Sequence, residues 1–365
     1  MHVNTNKLVH ITHNDGDAVG CALVAHYAYL DSVEEIYFCN VNEANTKTCE
    51  LIDEWETNDS YPGKIIISDI SVQLETWIRL LNIKKSIMNE TGIDIDLMMI
   101  DHHLTNPCSG HDPHVFVKDS FDGIALSSAA LNMIKHVNFA TKISAAVADN
   151  NFSKHLYENL FAIINDISRY DTWEWKHHPE PRVIPESLVA DVCKFIGPKE
   201  TYHKLIDYLW DHGDTATDLV SDNYPAYYLT STIYPTYFIN LLNAITIKKE
   251  NSMASLESFV HVTVEGEYVI ASFIASNEYT NDIADKINTL YDVDIVRILY
   301  PSSCKVGFRT ARTDINLGRY AKRFYNGGGH PQAAGAKMSI DSFVLIYESV
   351  MNSPTLQKWL DDQSQ

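Results

Sequence analysis

Four short apolar runs near the N-terminus, separated by helical patterns, constrain the fold more than any other feature. They are residues 8–12, 36–41, 64–69 and 97–101, which read LVHIT, IYFCNV, KIIISD and LMMID. Nearly continuous apolar runs of this length are typical of strands that are buried on both faces of a parallel sheet. Helical periodicity follows the first run over 18–29, with Val19, Ala22, Leu23 and His26 on one face, and follows the third over 72–81. This alternation predicts a doubly wound α/β domain.

A second, smaller α/β domain is predicted near the C-terminus. Residues 259–266 and 267–274 alternate apolar and polar side chains around a Glu-Gly turn, which predicts an antiparallel hairpin. A helix follows, for which Thr280 or Asn281 can provide the cap. Its inward face is predicted to be Ile283, Ala284, Ile287 and Leu290. Residues 293–300 and 304–311 supply further strands.

The length of the chain and its breaks predict three parts. A chain of 365 residues exceeds what one hydrophobic core usually supports. Between the two sets of strands the pattern is mainly helical, and the Pro-containing stretch 177–185 interrupts it. We expect an N-terminal catalytic domain over 1–185, a helical connecting region over 186–250 and a C-terminal domain over 251–365.

Charge and hydropathy narrow the classes of partner. A net charge of −20 argues against binding long duplex nucleic acid, because affinity for the phosphate backbone comes largely from Lys and Arg. Small anionic substrates remain compatible if metal ions and a local cationic cluster reverse the field. No apolar run approaches the roughly eighteen residues of a membrane span, and no signal-peptide pattern opens the sequence. We therefore expect a cytoplasmic protein with no membrane partner, and the sequence is compatible with a homodimer.

Carboxylates and histidines cluster where three of the predicted strands end. They are His13, Asp15 and Asp17 after the first run, Asp69 at the end of the third, and Asp101, His102 and His103 at the end of the fourth. In an open parallel sheet the carboxyl ends of the strands form the edge where ligands bind. Asp171, in RYDTWEW at the end of a long helical region, could return to the same edge.

Each of these residues taken singly has an ordinary explanation, since an Asp after a strand is usually a turn residue or a helix cap. Together, so many acids would repel one another unless divalent cations lay between them. Carboxylate and imidazole ligands suit Mn²⁺. Two ions about 3.5–4 Å apart, bridged by a carboxylate, are the arrangement used for phosphoryl hydrolysis.

These motifs resemble the DHH phosphoesterase family over nearly the whole chain. The resemblance rests on HNDGD with AVGCA after it, on the lone Asp69, on Asp101-His102-His103, on Asp171, and on VGFRT followed by GGGHPQAAG. RYDTWEW looks most similar to the nanoRNase B branch of oligoribonucleases. Trp173 and Trp175 would either fill the domain interface or stack on a base.

The resemblance implies roles for single residues. His13 and Asp15 would ligate one ion, Asp17, His102 and Asp171 the other, and Asp69 would bridge the two. Asp101 would support the ligands, and His103 would face the substrate phosphate. The implied cofactor is a pair of Mn²⁺ ions, with Mg²⁺ or Co²⁺ as substitutes.

The substrate-binding end is predicted around 305–330, the only dense basic stretch. It contains Lys305, Arg309, Arg312, Arg319, Lys322 and Arg323. Arg319, Lys322 and Arg323 have helical spacing, which a solvated helix face explains equally well. The resemblance puts Arg309 and the GGGH loop, Gly327, Gly328, Gly329 and His330, against the substrate. There the glycine amides would form a nest for an anion.

The sequence therefore predicts a metal-dependent phosphodiesterase that hydrolyses short RNA or DNA oligonucleotides or dinucleotides to mononucleotides. A cyclic-dinucleotide phosphodiesterase would use the same residues. A RecJ-type exonuclease would normally carry further nucleic-acid-binding modules, and an inorganic pyrophosphatase would not need the GGGH loop. A nucleotide-binding sensor without catalysis is the alternative from another class.

Overall fold

The computed structural model describes residues 1–30, 32–103, 106–110, 112–117, 127–135, 154–172, 174–177, 185–212, 220–221, 224–225, 234–254, 259–275 and 279–365. Within these ranges the contacts divide the chain into two units, Met1–Asn243 and Ala244–Gln365. The predicted boundaries at 185 and 250 remain predictions.

The first unit is built on a parallel sheet of five strands. Its elements are β1 (His2–Thr12), α1 (Gly16–Ala28), β2 (Val33–Phe38), α2 (Val41–Asn58), β3 (Ser60–Ser68), α3 (Leu74–Thr91), β4 (Asp96–Asp101) and β5 (Val115–Val117). The strand order is β2-β1-β3-β4-β5, and every pair is parallel. The order reverses between β1 and β3, so the doubly wound prediction is confirmed.

Helices complete this unit. They are α4 (Ser128–Lys135), α5 (Lys154–Asp171), α6 (Glu174–His177), α7 (Leu188–Ile196) and α8 (Pro198–His212), followed by the short strands β6 (Val220–Ser221) and β7 (Tyr224–Pro225) and by α9 (Thr236–Ala254), which crosses the division between the units. Helices α4, α5, α7 and α8 all pack on α1. Because these helices cover the side of α1 that faces away from the sheet, α1 is buried almost all round and not on one face as predicted.

Several predicted limits were wrong for local reasons. The predicted strand 36–41 ends at Phe38, because Asn40 caps α2 in a reciprocal capping box with Glu43. The helix predicted over 72–81 continues to Thr91 and ends at Gly92, whose φ of 73° is the left-handed conformation of a helix C-cap. Elements that were not predicted from the sequence include α2, which carries many charged residues, and the three-residue strand β5.

The second unit has its own mixed sheet. Its elements are β8 (His261–Glu265), β9 (Tyr268–Ile274), α10 (Thr280–Leu290), β10 (Ile295–Tyr300), β11 (Lys305–Arg309), α11 (Leu317–Tyr325), β12 (Gly328–Gly329), β13 (Ala333–Lys337), α12 (Ile340–Met351) and α13 (Leu356–Gln363). The strand order is β12-β13-β11-β10-β9-β8, in which β9 and β10 are the parallel pair. The predicted hairpin is present as β8 and β9. The prediction for α10 was wrong in two details: Tyr279 occupies the N-cap position without a side-chain capping hydrogen bond, and Leu290, the last residue of the helix, is exposed.

Candidate metal centre

The predicted site residues lie at the carboxyl edge of the five-stranded sheet. His13 follows β1, Asp69 follows β3, and Asp101 is the last residue of β4, directly before His102 and His103. Strands β1 and β3 flank the point where strand order reverses. This is the crevice in which open parallel sheets bind ligands.

Asp69 occupies the centre of this edge. It adopts the left-handed conformation, with φ of 55°, which Asp tolerates better than most residues. Its amide donates to the carbonyl of Ile100 at 3.0 Å, which ties the turn to β4. The turn places Asp69 Oδ1 3.3 Å from His102 Nε2 and Asp69 Oδ2 3.8 Å from His13 Nδ1.

Among the described residues of the first unit, three groups of side chains could each hold a cation, and Asp69 belongs to all of them. In each group the ligand atoms lie within 4.8 Å of one another, and the partners of Asp69 are His13 with Asp15, Asp17 with His102, and Asp101 with His103. The first two groups match the two ligand sets that the family resemblance implied. Asp171 reaches the second set, because its Oδ2 lies 3.5 Å from His102 Nε2.

Asp15 and Asp17 also accept hydrogen bonds from backbone amides at the starts of two helices, α1 and α4. Asp15 caps α1 by accepting the amide of Ala18 at 3.1 Å, and its other oxygen lies 2.8 Å from His13 Nδ1. Asp17 accepts the amides of Ser128 at 2.9 Å and Ala129 at 3.2 Å, at the start of α4. A helix N-terminus favours a carboxylate. More than a hundred residues separate Asp17 from Ser128 and Ala129 in the sequence, and no sequence pattern predicted this contact.

Asp101 differs from the other acids because hydrogen bonds already surround it. It accepts the amides of His102 and His103, His103 Nδ1 at 2.7 Å, and Nδ2 of Asn106 at 2.8 Å. These bonds orient the DHH turn and leave Asp101 little capacity for a cation. Asn106 was not predicted as a site residue, since nothing in its spacing separates it from a surface residue.

The carboxylates perturb one another strongly. Burial raises the pKa of Asp69 well above its usual range, and the charges of Asp15, Asp17 and Asp171 add to this effect. Burial likewise raises the pKa of Asp17, and raises that of Asp171 to about 7 despite the opposing charge of His102. Such a concentration of buried negative charge is what a divalent cation would offset.

The pKa values of His13 and His103 are raised, although burial alone would lower them. Burial lowers the pKa of His103, but the hydrogen bond and charge of Asp101 outweigh it and raise the value to about 9. The pKa of His13 is also raised, because Asp15 outweighs the burial of the ring. His103 is more than a third exposed, so its ring can present positive charge to a ligand at neutral pH.

The residues present fit divalent cations. Asp69 Oδ2 and Asp171 Oδ2 are buried and accept no hydrogen bond from the residues that the structure describes. A buried acceptor without a donor is destabilising, and a cation would remove that cost. Carboxylate oxygens mixed with imidazole nitrogens form a donor set that Mn²⁺ and similar ions accept.

In the second unit, Arg309 lies at the end of β11 as expected. Its Nε donates to Oδ1 of Asn281 at 2.9 Å, and its Nη1 donates to the carbonyl of Phe308 at 2.8 Å. The side chain is half-buried and held at the end of the sheet. A role for Arg309 in binding substrate stays a prediction.

The GGGH loop has a different local role from the anion nest that was predicted. Gly328 and Gly329 pair with β13, while the amides of Gly327 and His330 donate to the carbonyls of Ala321 and Ala333. A Cβ at Gly327 would lie 2.2 Å from the carbonyl oxygen of Gly335. The glycines therefore allow two backbone segments to approach closely, and the two engaged amides are not available to a phosphate.

Two further expectations concern the same regions. Trp173 lies outside the described residues, whereas the ring of Trp175 stacks on that of Tyr170. Arg319, Lys322 and Arg323 are exposed on α11, which is compatible with a solvated helix face. Within the described ranges, no helix combines the length and hydrophobicity needed to cross a bilayer.

Comparison with known proteins matches both units. Residues 262–352 match the DHHA1 domain family. Oligoribonuclease NrnB of Bacillus subtilis (strain 168) is 23% identical over 340 residues, covering 92% of this chain and 74% of that protein.

Solved structures share the architecture at low sequence identity. The DHH domain of a member of a ribosomal protein family has a TM-score of 0.54 at 13% identity, over 96% of this chain and 88% of that chain. Exonuclease RecJ bound to manganese has a TM-score of 0.46 at 12% identity, over 96% and 91% of the two chains. The DHHA1 match in the second unit and the similarity to oligoribonuclease NrnB over most of the chain together support a protein of the DHH family.

Proposed function

We propose that the protein is a metal-dependent phosphodiesterase that hydrolyses short oligonucleotides or dinucleotides to mononucleotides. The observation that carries the proposal is the sharing of Asp69 by the His13–Asp15 and Asp17–His102 groups. Two overlapping groups with one common carboxylate are suited to a pair of adjacent cations. The similarity to oligoribonuclease NrnB supports a short oligonucleotide as the substrate.

The chain's own residues have separable tasks in this proposal. His13 and Asp15 would hold one cation, Asp17, His102 and Asp171 would hold the other, and Asp69 belongs to both groups of side chains. Two Mn²⁺ ions, or Mg²⁺ or Co²⁺ in their place, would supply an ionised water as nucleophile and offset negative charge on the phosphoryl oxygens. Asp101 fixes the DHH turn through its hydrogen bonds to the backbone, to His103 and to Asn106.

His103 is the proposed contact to the substrate phosphate. With its pKa raised to about 9 by Asp101, the imidazole is protonated at neutral pH and carries positive charge. A cationic donor fixed in advance stabilises the charge that develops on a phosphoryl oxygen. The exposed part of the ring is consistent with this role.

Arg309 and the 327–330 loop are proposed to bind the remainder of the nucleotide. Arg309 supplies positive charge, and His330 adds a side chain to a loop whose backbone is held by β13. The net charge of −20 favours short substrates over long strands, because a long polyanion would be repelled by the rest of the surface.

The proposal is tested by product analysis with Mn²⁺ on pGpG, pApA, cyclic dinucleotides and a five-nucleotide RNA. We expect mononucleotides from the linear dinucleotides and from the RNA. Turnover confined to the cyclic substrates would identify a cyclic-dinucleotide phosphodiesterase. Stoichiometric binding without turnover of any substrate would identify a nucleotide sensor, and the proposed activity would be wrong.

A further inference from the structure

Three buried polar side chains on β1 and β3 form a hydrogen-bonded network next to the candidate metal centre. His10 Nε2, on β1, lies 2.7 Å from Ser68 Oγ at the end of β3. Ser68 Oγ donates to Thr12 Oγ1 at 3.1 Å, and Thr12 Oγ1 donates to the Ser68 carbonyl at 2.9 Å. Because both hydroxyl hydrogens are used in these bonds, the Nε2–H of His10 donates to Ser68. All three side chains are fully buried.

Glu34, on β2, faces the other side of His10 without a hydrogen bond to it. Its Oε1 lies 3.8 Å from His10 Nδ1. Its Oε2 accepts the hydroxyl of Tyr202 at 2.7 Å and lies 3.2 Å from His26 Nδ1. Strand β2, helix α1 and helix α8 thus converge on Glu34, which fixes the carboxylate that faces His10.

Two of these hydrogen-bonded residues are the sequence neighbours of proposed metal ligands. Thr12 directly precedes His13, and Ser68 directly precedes Asp69. Asp69 has a left-handed backbone, a conformation that persists only where the surroundings enforce it. On the N-terminal side of Asp69, the carbonyl and the hydroxyl of Ser68 both form hydrogen bonds. The amide of Asp69 itself donates a hydrogen bond to the carbonyl of Ile100.

We propose that His10, which faces the carboxylate of Glu34, is a positioning residue of the metal centre that acts on Asp69 and His13 through Ser68 and Thr12. The inference rests on the proposed function, since it assumes that these two residues ligate cations. An apolar side chain at position 10 would lie on the same face of β1 as the buried Leu8 and would avoid the desolvation cost of an imidazole. Partners behind a ligand set its orientation and alter metal affinity even though they never touch the ion.

The test compares Ser68→Ala, His10→Phe and Glu34→Gln with the wild type in the full-length protein. Tyr29→Phe is the matched control, because it removes a hydrogen bond to Asp96 in the same unit but away from Ser68. Mn²⁺ affinity is measured by titration calorimetry, folding by circular dichroism, and turnover of pApA as separate kcat and KM. We expect Mn²⁺ affinity to fall about tenfold or more in the three variants. For pApA, kcat should fall in these variants while KM stays nearly constant. The Tyr29→Phe control should match the wild type in both constants.

The outcomes separate this inference from the proposed activity. Mn²⁺ affinity within about twofold of the control in the folded variants would overturn the positioning role, whatever the wild type hydrolyses. Weakened Mn²⁺ binding in a protein that hydrolyses nothing would support positioning and refute the proposed function. If Ser68→Ala or His10→Phe fails to fold, the Mn²⁺ affinity of Glu34→Gln decides whether the positioning role holds, because this variant keeps the side-chain volume. A wild type that binds no divalent ion would overturn both.

Discussion

Nε2 of His102 lies 3.3 Å from Oδ1 of Asp69, and both side chains are almost fully buried. An amide in place of Asp69 would bridge two cations poorly, because it has one acceptor oxygen and no charge. We expect Asp69→Asn to retain its fold and to keep less than about a tenth of the wild-type rate with saturating Mn²⁺. Steady-state rates and bound-metal analysis on the purified variant check this.

Asp96→Asn is the control for that variant, because Asp96 opens the same strand β4 that ends at Asp101 and lies at the opposite edge of the sheet. It should keep nearly full activity. An Asp69→Asn protein that retains more than about a tenth of the rate would rule out a centre that depends on a carboxylate at position 69.

His103→Ala separates substrate contact from metal ligation. If the ring stabilises charge on the phosphate, its loss should lower kcat on the order of a hundredfold and leave the bound metal unchanged. His2→Ala, at an exposed position at the start of β1, serves as the control. Loss of metal from His103→Ala would instead assign His103 to the group that it forms with Asp69 and Asp101.

Glu34 should make folding stability depend on pH. Burial raises the pKa of Glu34, but the nearby rings of His10 and His26 and the hydroxyl of Tyr202 outweigh it, and the value falls from 4.5 to about 2. A carboxyl whose folded pKa is lowered stabilises the fold above its unfolded pKa and loses that contribution as the pH falls through the folded value. The shift corresponds to about 3 kcal/mol.

Denaturant unfolding of the wild type and Glu34→Gln between pH 7 and pH 3 tests this dependence. We expect Glu34→Gln to be less stable at neutral pH and the difference to shrink by about half between pH 5 and pH 3. A difference that stays constant over this range would mean that the ionisation of Glu34 contributes nothing to stability.

Substrate length provides a test of the acidic surface. Activity per end should fall as RNA grows from two nucleotides towards about twenty, because a longer strand meets more of the negative field. Initial rates on a length series at two salt concentrations measure this, and added salt should narrow the difference between long and short substrates because it screens the repulsion. Equal or better activity on the longest RNA would indicate an enzyme that acts like RecJ.

His330→Ala distinguishes nucleotide binding from the chemical centre. Because all the proposed ligands lie in the first unit, the variant should keep its Mn²⁺ and lose activity on a dinucleotide. Bis(p-nitrophenyl) phosphate offers little for a nucleotide site to hold, so its hydrolysis should fall much less. Equal losses on both substrates, or loss of metal, would show that His330 supports the centre itself.

Much of the candidate site could be predicted because its signals are local. His13, Asp69 and Asp101 each follow an apolar run, and parallel strands bring their carboxyl ends to one edge whatever lies between them. The contacts of Asp17 with Ser128 and Ala129 depend on how two distant segments pack. Neither strand periodicity nor motif spacing contains that information.

Other features left signals in the sequence that were harder to interpret. Asn40 and Glu43 form a capping box that marks the start of α2, but its many charged side chains obscured the helical period. Glycines at 327–329 were interpreted as an anion nest, because sequence cannot distinguish close approach to a ligand from close approach to another strand. In the structure Gly328 and Gly329 pair with β13, and a contact of the loop with substrate stays a prediction.

The left-handed turn at Asp69 limits which substitutions the centre could tolerate. Glutamate keeps the charge, but its longer side chain moves the carboxylate away from His102, and the left-handed backbone accepts Asp and Asn more readily than Glu. An exchange that conserves charge at this position is therefore not conservative in geometry. Any redesign of the ligand set would have to rebuild the end of β3 as well as choose a new side chain.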